Sequence, residues 1–314
     1  MSRTVLASAS SQRNLILALL LAVAGACWAL LLAAAGGEPG MRMAGPTMGL
    51  GAALFLTMWI VMMAAMMFPA AAPMILTYHR IQSGKRARGD GFVSTWVFVA
   101  GYLAVWGGCG IVAYLGAVAA EAFAARTGLS EAAAARVGGG LLIVAGLYQL
   151  TPLKDRCLAK CRSPIGFVMT AWRDGASGAL RMGFLHGAYC LGCCWLLFLI
   201  LFPLGIMNIA ATALLTVIVF AEKSLPGYRA TIYATAAALA AYGTLVLAAP
   251  QVLPTFGMMP DTATGIATEM PAGSGTNPAP TPSTGMPEMN MPPPASAPGQ
   301  MKMEPLRGST SPRP

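Results

Sequence analysis

The stretch His186-Gly-Ala-Tyr-Cys190-Leu-Gly-Cys193-Cys194-Trp195 opens an apolar run that reaches Phe202, so four soft or borderline metal ligands lie inside what reads as a membrane helix. At 100° per residue, His186, Cys190, Cys193 and Cys194 fall within an arc of about 100° on one helix face. They form a stripe about 12 Å long, running from near the cytoplasmic surface to roughly mid-bilayer. A polar histidine is costly to leave unpaired there, and ionisable residues inside a membrane are functional candidates by default.

The chain around this stretch has the composition of a polytopic membrane protein. Of 314 residues, 56% are hydrophobic and 10% charged, against about 25% charged in a soluble domain. Hydropathy predicts an all-α fold of about seven transmembrane spans, at 14–35, 48–76, 92–119, 137–153, 182–202, 206–221 and 230–249. The first span could be read as a signal peptide, because Ala33-Ala34-Ala35 offers small residues for cleavage. Its apolar run exceeds the roughly 7–15 residues of a signal-peptide core, which favours an uncleaved helix. Pro69 and Pro73 are expected to break the second span near its inner end.

The net charge of +9 is unevenly placed. Summed over alternate links, fourteen Lys and Arg residues fall on the face bearing the amino terminus and three on the other, the tail aside. That asymmetry predicts an amino terminus inside, a carboxyl terminus outside and a multi-pass protein of the bacterial inner membrane. It also explains the charge without nucleic acid; the partner implied is the lipid bilayer. Residues 1–13 then form a cytoplasmic amino terminus, 14–249 the transmembrane domain and 250–314 an external tail. The tail holds fifteen of 23 prolines, cannot bury a core, and reads as disordered.

Methionine is the unusual residue, with 21 in the chain. In the second span Met58, Met62 and Met66 recur every four residues along one seam, with Met63 and Met67 beside them. Methionine at helical spacing ordinarily fills core gaps. Five in ten residues, running toward the depth of Cys193 and Cys194, give a ligand reading equal standing. Eight more lie in the tail, where there is no core to fill, and Met41, Met43 and Met48 share its face.

Thioether and thiolate ligands select Cu(I), whereas Mg, Ca and Mn favour the oxygen ligands that these spans almost lack. Zinc also takes Cys and His, but four residues along one straight helix cannot wrap an ion alone. Ligands from a second helix are needed, and the methionine seam is the expected donor. Cys157 and Cys161, four apart in the basic link 154–181, would share a face of a short helix. Flanking Arg156, Lys160 and Arg162 should lower their thiol pKa values. They read as a metal entry or exit point, with a redox pair as the competitor. Cys27 and Cys109, alone among Ala and Gly, read as small buried hydrophobes. His79 and Glu222, at cytoplasmic helix ends, read as interfacial anchors or charge partners.

Three motifs carry a family resemblance: Trp59-x-x-Met62-x-x-Ala65-Met66-Met67-x-Pro69-x-x-x-Pro73-Met74, then Tyr148-Gln149-x-x-Pro152-Leu153-Lys154-x-x-Cys157-x-x-x-Cys161-Arg162-Ser163-Pro164, then Gly183-x-x-His186-Gly187-x-x-Cys190-x-Gly192-Cys193-Cys194-Trp195. Together they resemble a bacterial family described as predicted metal-binding integral membrane proteins, a domain of unknown function sometimes labelled copper chaperone. The resemblance covers about residues 48–230 and implies that the Met-rich and Cys-rich motifs belong together.

The expectation is therefore a non-enzymatic inner-membrane protein that captures Cu(I) outside and passes it from Met58, Met62 and Met66 to Cys193, Cys194, Cys190 and His186, with Cys157 and Cys161 at the cytosolic end. A transporter and a chaperone for a membrane cuproenzyme both fit, and a copper chaperone or cuproenzyme is the protein partner implied. No Walker motif is present to drive export. The rivals are a membrane thiol oxidoreductase, which lacks a Cys-x-x-Cys in a thioredoxin-like setting, and a non-catalytic assembly subunit in which the methionines only pack. Redox cycling without metal would favour the first, and tolerance of Met-to-Leu replacement the second.

Overall fold

The computed structural model describes residues 3–35, 46–47, 49–206 and 208–253. The elements are α1 (Arg3–Ala35), α2 (Ala52–Ala87), α3 (Thr95–Thr127), α4 (Glu131–Gln149), α5 (Pro152–Arg162), α6 (Pro164–Ala171), α7 (Gly175–Leu199), α8 (Leu201–Leu204), α9 (Ile209–Ser224) and α10 (Tyr228–Ala248), followed by a 3-10 turn at Pro250–Val252. No strand occurs among the described residues. The tail beyond 253, with its eight methionines, and Met41, Met43 and Met48 lie outside the described residues.

Among the described residues, six helices are long and apolar enough to cross a membrane. The span expected at 206–221 is the 16-residue α9, about 24 Å long at 1.5 Å per residue, against a hydrocarbon core of about 30 Å. Asn208 caps its start by accepting from the Ala211 amide. Its last turn holds Glu222 and Lys223, both buried, so its polar end is drawn into protein.

The prolines of α2 do not end it. The helix runs through Pro69 and Pro73 to Ala87, absorbing much of the basic link expected at 78–91. Most of the segment between Trp59 and His79 is buried against neighbours, where packed helices tolerate the backbone groups that proline frees. The Thr77 hydroxyl donates back to the Pro73 carbonyl at 2.8 Å, one turn earlier in the same helix.

Small residues set the helix pairs, as expected where backbones must approach without a hydrophobic drive between helices. A Cβ at Gly183 would collide with the Phe98 carbonyl, one at Gly101 with the Leu180 carbonyl, and one at Gly187 with Val105. These contacts lay α7 parallel to α3. Gly139 meets Gly243, and Gly146 meets Ala236, so α4 and α10 run antiparallel. Antiparallel α2 and α3 are joined by the Trp59 indole donating to the Trp106 carbonyl at 3.1 Å and by Tyr78 stacked on Phe98.

The basic end of the bundle is tied by ion pairs. Lys85 of α2 holds Asp174, which precedes α7, and this contact, with a hydrogen bond from the Trp172 indole, keeps the Asp174 carboxyl below its ordinary range. Lys154 of α5 meets Glu222 of α9 at 2.7 Å, with both side chains buried. The Arg162 guanidinium donates to the Glu222 carbonyl at 2.6 Å and lies 4.0 Å over the Tyr228 ring. Glu222 is thus a charge partner.

Candidate functional site

The glycines that seat α7 against α3 also fix which face of α7 turns inward. His186, Cys190, Cys193 and Cys194 are each no more than 2% exposed, so the stripe faces the protein interior along its whole length. Cys190 is its hub. The Lys223 ammonium donates to the Cys190 sulfur at 2.9 Å, and the Tyr102 hydroxyl lies 3.1 Å from it. Cys161 reaches in from α5 to lie beside Cys190 and Cys193. Cys194 lies beside the same two. All seven cysteines are free thiols.

The methionine seam is buried too: Met62, Met63, Met66 and Met67 are at most 2% exposed, while Met58, farther from the basic end, is partly buried. The close backbone neighbours of α7 are α3 and α5, and those of α2 are α1, α3 and α9; α2 and α7 are not a closely packed pair. Lys223 spans the gap between them. Its ammonium, on the Cys190 sulfur, also lies 3.9 Å from the Met67 thioether.

Cys157 and Cys161 occupy the short helix expected for them, but their environment differs from expectation. Cys157 packs on Gly192, where a Cβ would strike its sulfur. Burial and the neighbouring Cys193 push its thiol up rather than down. The neighbouring Cys190 and Cys193, together with burial, push Cys161 well up. The flanking cations point elsewhere: Arg162 is engaged by Glu222 and Tyr228, Arg156 is exposed, and Lys160 lines a separate cavity. Cys161 thus lies with the cysteines of α7.

His186 is held among aromatic rings. Its ring stacks with Phe98 and Tyr102, at 6.0 and 5.7 Å between centroids, and meets the edge of Phe167 at 5.5 Å. Its Nδ1 is buried without a hydrogen-bond partner. Among the described residues, no group of three His, Cys, Asp or Glu side chains is arranged to hold a metal ion. Cys193 and Cys194 turn their thiols onto the Cys190 carbonyl, at 3.1 and 2.8 Å, and an ammonium occupies the Cys190 sulfur. What the arrangement offers is a dry cluster of four thiols and a thioether, closed by one cation.

Two participants were not singled out from the sequence. Tyr102 gives no signal as one aromatic in an apolar span. Lys223, at the end of α9, has the position of a cation that snorkels to the interface; only the buried carboxylate beside it sets it apart.

Several residues of the three sequence motifs are architectural. Tyr148 donates to the Gly192 carbonyl, and its ring meets Trp195 edge-on at 5.8 Å. Gln149 accepts from Lys154, and Gly183 and Gly187 seat α7 on α3.

Comparison with curated proteins and with solved structures gives no match. A family model named PpoB2 and described as copper chaperone matches residues 56–246, which takes in all three motifs and every cysteine of the buried cluster. The chain belongs to this copper chaperone family.

Proposed function

We propose that this protein binds Cu(I) as cargo within the bacterial inner membrane, at the cluster formed by Cys161, Cys190, Cys193 and Cys194 with the thioether of Met67. The observation that carries this reading is the meeting of thiols from α5 and α7 with a thioether from α2 at one buried cation, Lys223. Soft sulfur donors in a dry environment suit Cu(I), and a monovalent ion matches the charge that the ammonium supplies there. Met58, Met62, Met63 and Met66 would lead toward the cluster from the opposite side. Cys157 supports the α5–α7 contact. His186, with a free Nδ1 one turn from Cys190, would join as a further ligand.

The orientation we infer has seven crossings, with the amino terminus inside. The ion pairs Lys85–Asp174 and Lys154–Glu222 and the Arg162–Tyr228 contact gather the ends of α2, α5, α9 and α10 on one side, which supports α9 as a return crossing despite its length. The methionine-rich tail would then lie in the periplasm. Either a transporter or a chaperone that loads a membrane cuproenzyme fits this arrangement; membership of a copper chaperone family favours the chaperone.

The test is Cu(I) stoichiometry on detergent-purified protein, measured anaerobically. Wild type should retain one equivalent against a moderate chelator, and Cys190→Ser/Cys193→Ser/Cys194→Ser none. Equal retention by both proteins, or none by wild type, removes the proposal. Deleting residues 250–314 should leave this equivalent in place and abolish only additional, weaker binding.

A further inference from the structure

Outside the sulfur cluster, the described residues enclose a second feature with its own chemistry. A cavity of about 470 Å³ lies between α5, α6 and the start of α7, lined by Lys160, Arg173 and Arg181 together with Phe167, Trp172 and Tyr189. No carboxylate lines it. Nearby acids are committed elsewhere: Asp174 to Lys85 and the Trp172 indole, and Glu222 to Lys154. Among the described residues none of the three cations has an ion-pair partner. Three unpaired cations around one aromatic-walled hollow call for an anion, and the geometry suits a phosphate group, which takes several cationic donors at once.

The surroundings identify the source of that phosphate. α6 buries Phe167 and Val168 but leaves Ile165 70% and Met169 80% exposed, and on α7 Leu180 and Phe184, flanking Arg181 and Leu185, are also exposed. These apolar side chains stand beside the cationic hollow at the basic end of the bundle. A soluble anion would have no use for that wall, whereas acyl chains would lie along it. Basic pockets between membrane helices at this level are headgroup sites, and the basic face is the one that meets anionic leaflet lipid.

We propose that this cavity holds the phosphate headgroup of an anionic phospholipid, such as phosphatidylglycerol, with Arg173, Arg181 and Lys160 as its ligands and Trp172 and Tyr189 at the interface. The bound lipid would brace α6, whose Phe167 ring abuts both Tyr189 and His186.

The experiment uses the full-length protein in neutral detergent, with bound lipid counted by native mass spectrometry during titration. Phosphatidylglycerol, phosphatidylcholine and inorganic phosphate are the probes. Wild type should retain one phosphatidylglycerol in preference to phosphatidylcholine. Arg173→Gln/Arg181→Gln should weaken that retention by about 30-fold, the size expected from two lost cationic contacts. Arg80→Gln/Arg156→Gln, which removes the same charge from exposed positions on the same face, should leave it unchanged. Acetylation of Lys160 in wild type, read by peptide mass spectrometry, should be slowed by phosphatidylglycerol alone and needs no variant to fold. Equal loss in both double variants, no preference over phosphatidylcholine, or equal protection of Lys160 by inorganic phosphate would each overturn the proposal.

Discussion

The ammonium of Lys223 lies 2.9 Å from the sulfur of Cys190, and through it α9 closes the space between α7 and α2. A cation at that place must leave a sulfur before a metal ion can take it. Lys223→Met removes the competitor while keeping an unbranched apolar chain and adding a thioether. Cu(I) affinity should rise about tenfold or more, the equivalent of one charge-assisted hydrogen bond no longer to be broken. Competition against a chromophoric Cu(I) chelator measures it; weaker binding by the variant would show that the ammonium instead serves the bound ion.

Glu222 and Lys154 form a pair whose side chains are 2% and 0% exposed. Removing one partner strands the other, so Lys154→Met alone should destabilise by about 3–5 kcal/mol, and Lys154→Met with Glu222→Leu should recover most of the loss. Thermal unfolding in detergent, compared across the single and double variants, reads this directly. A double variant no better than the single would mean that the pair is not the source of the effect.

Gly183 lies against the Phe98 carbonyl, with no room for a side chain. Gly183→Ala should separate α7 from α3 and lower stability by about 1–3 kcal/mol, the usual range for overpacking. Gly108 has nothing near the position of an added Cβ, so Gly108→Ala should be neutral or slightly stabilising through helix propensity. Similar melting temperatures for the two variants would contradict the packing described for α3 and α7.

Cys157 should alkylate slowly near neutral pH. Burial and Cys193 raise its thiol pKa, only the thiolate reacts, and a raised pKa shifts half-maximal reactivity to higher pH than that of an ordinary cysteine. Site-resolved iodoacetamide labelling from pH 7 to pH 10 tests the sign. A rate already at plateau by pH 8 would contradict it.

The sequence disclosed the class of the fold and the inward faces better than the connections between them. The α7 stripe was legible because four ligand types at helical spacing define a face without any partner. The depth of Met63, Met66 and Met67 followed from periodicity in the same way. Helix ends were less legible: Pro69 and Pro73 predict a break only where freed carbonyls would meet lipid, and in α2 they meet protein. Neighbours were least legible. The methionine seam and the cysteine stripe suggested two helices in direct contact, yet α2 and α7 are joined through the long side chain of Lys223, and nothing in either motif encodes a third helix. Charge near Cys157 misled for a related reason: Arg156, Lys160 and Arg162 are close in sequence but turn toward solvent, a cavity and Glu222, whereas the influential neighbour is Cys193, thirty-six residues away.

Glu222 receives both ends of α5, its carboxylate holding Lys154 and its carbonyl holding Arg162, and the next residue is Lys223. The helix that delivers the Cys161 thiol and the residue that delivers the ammonium are therefore anchored at one place, residue 222. A substitution at residue 222 reaches the thiol of Cys161 and the ammonium of Lys223 together.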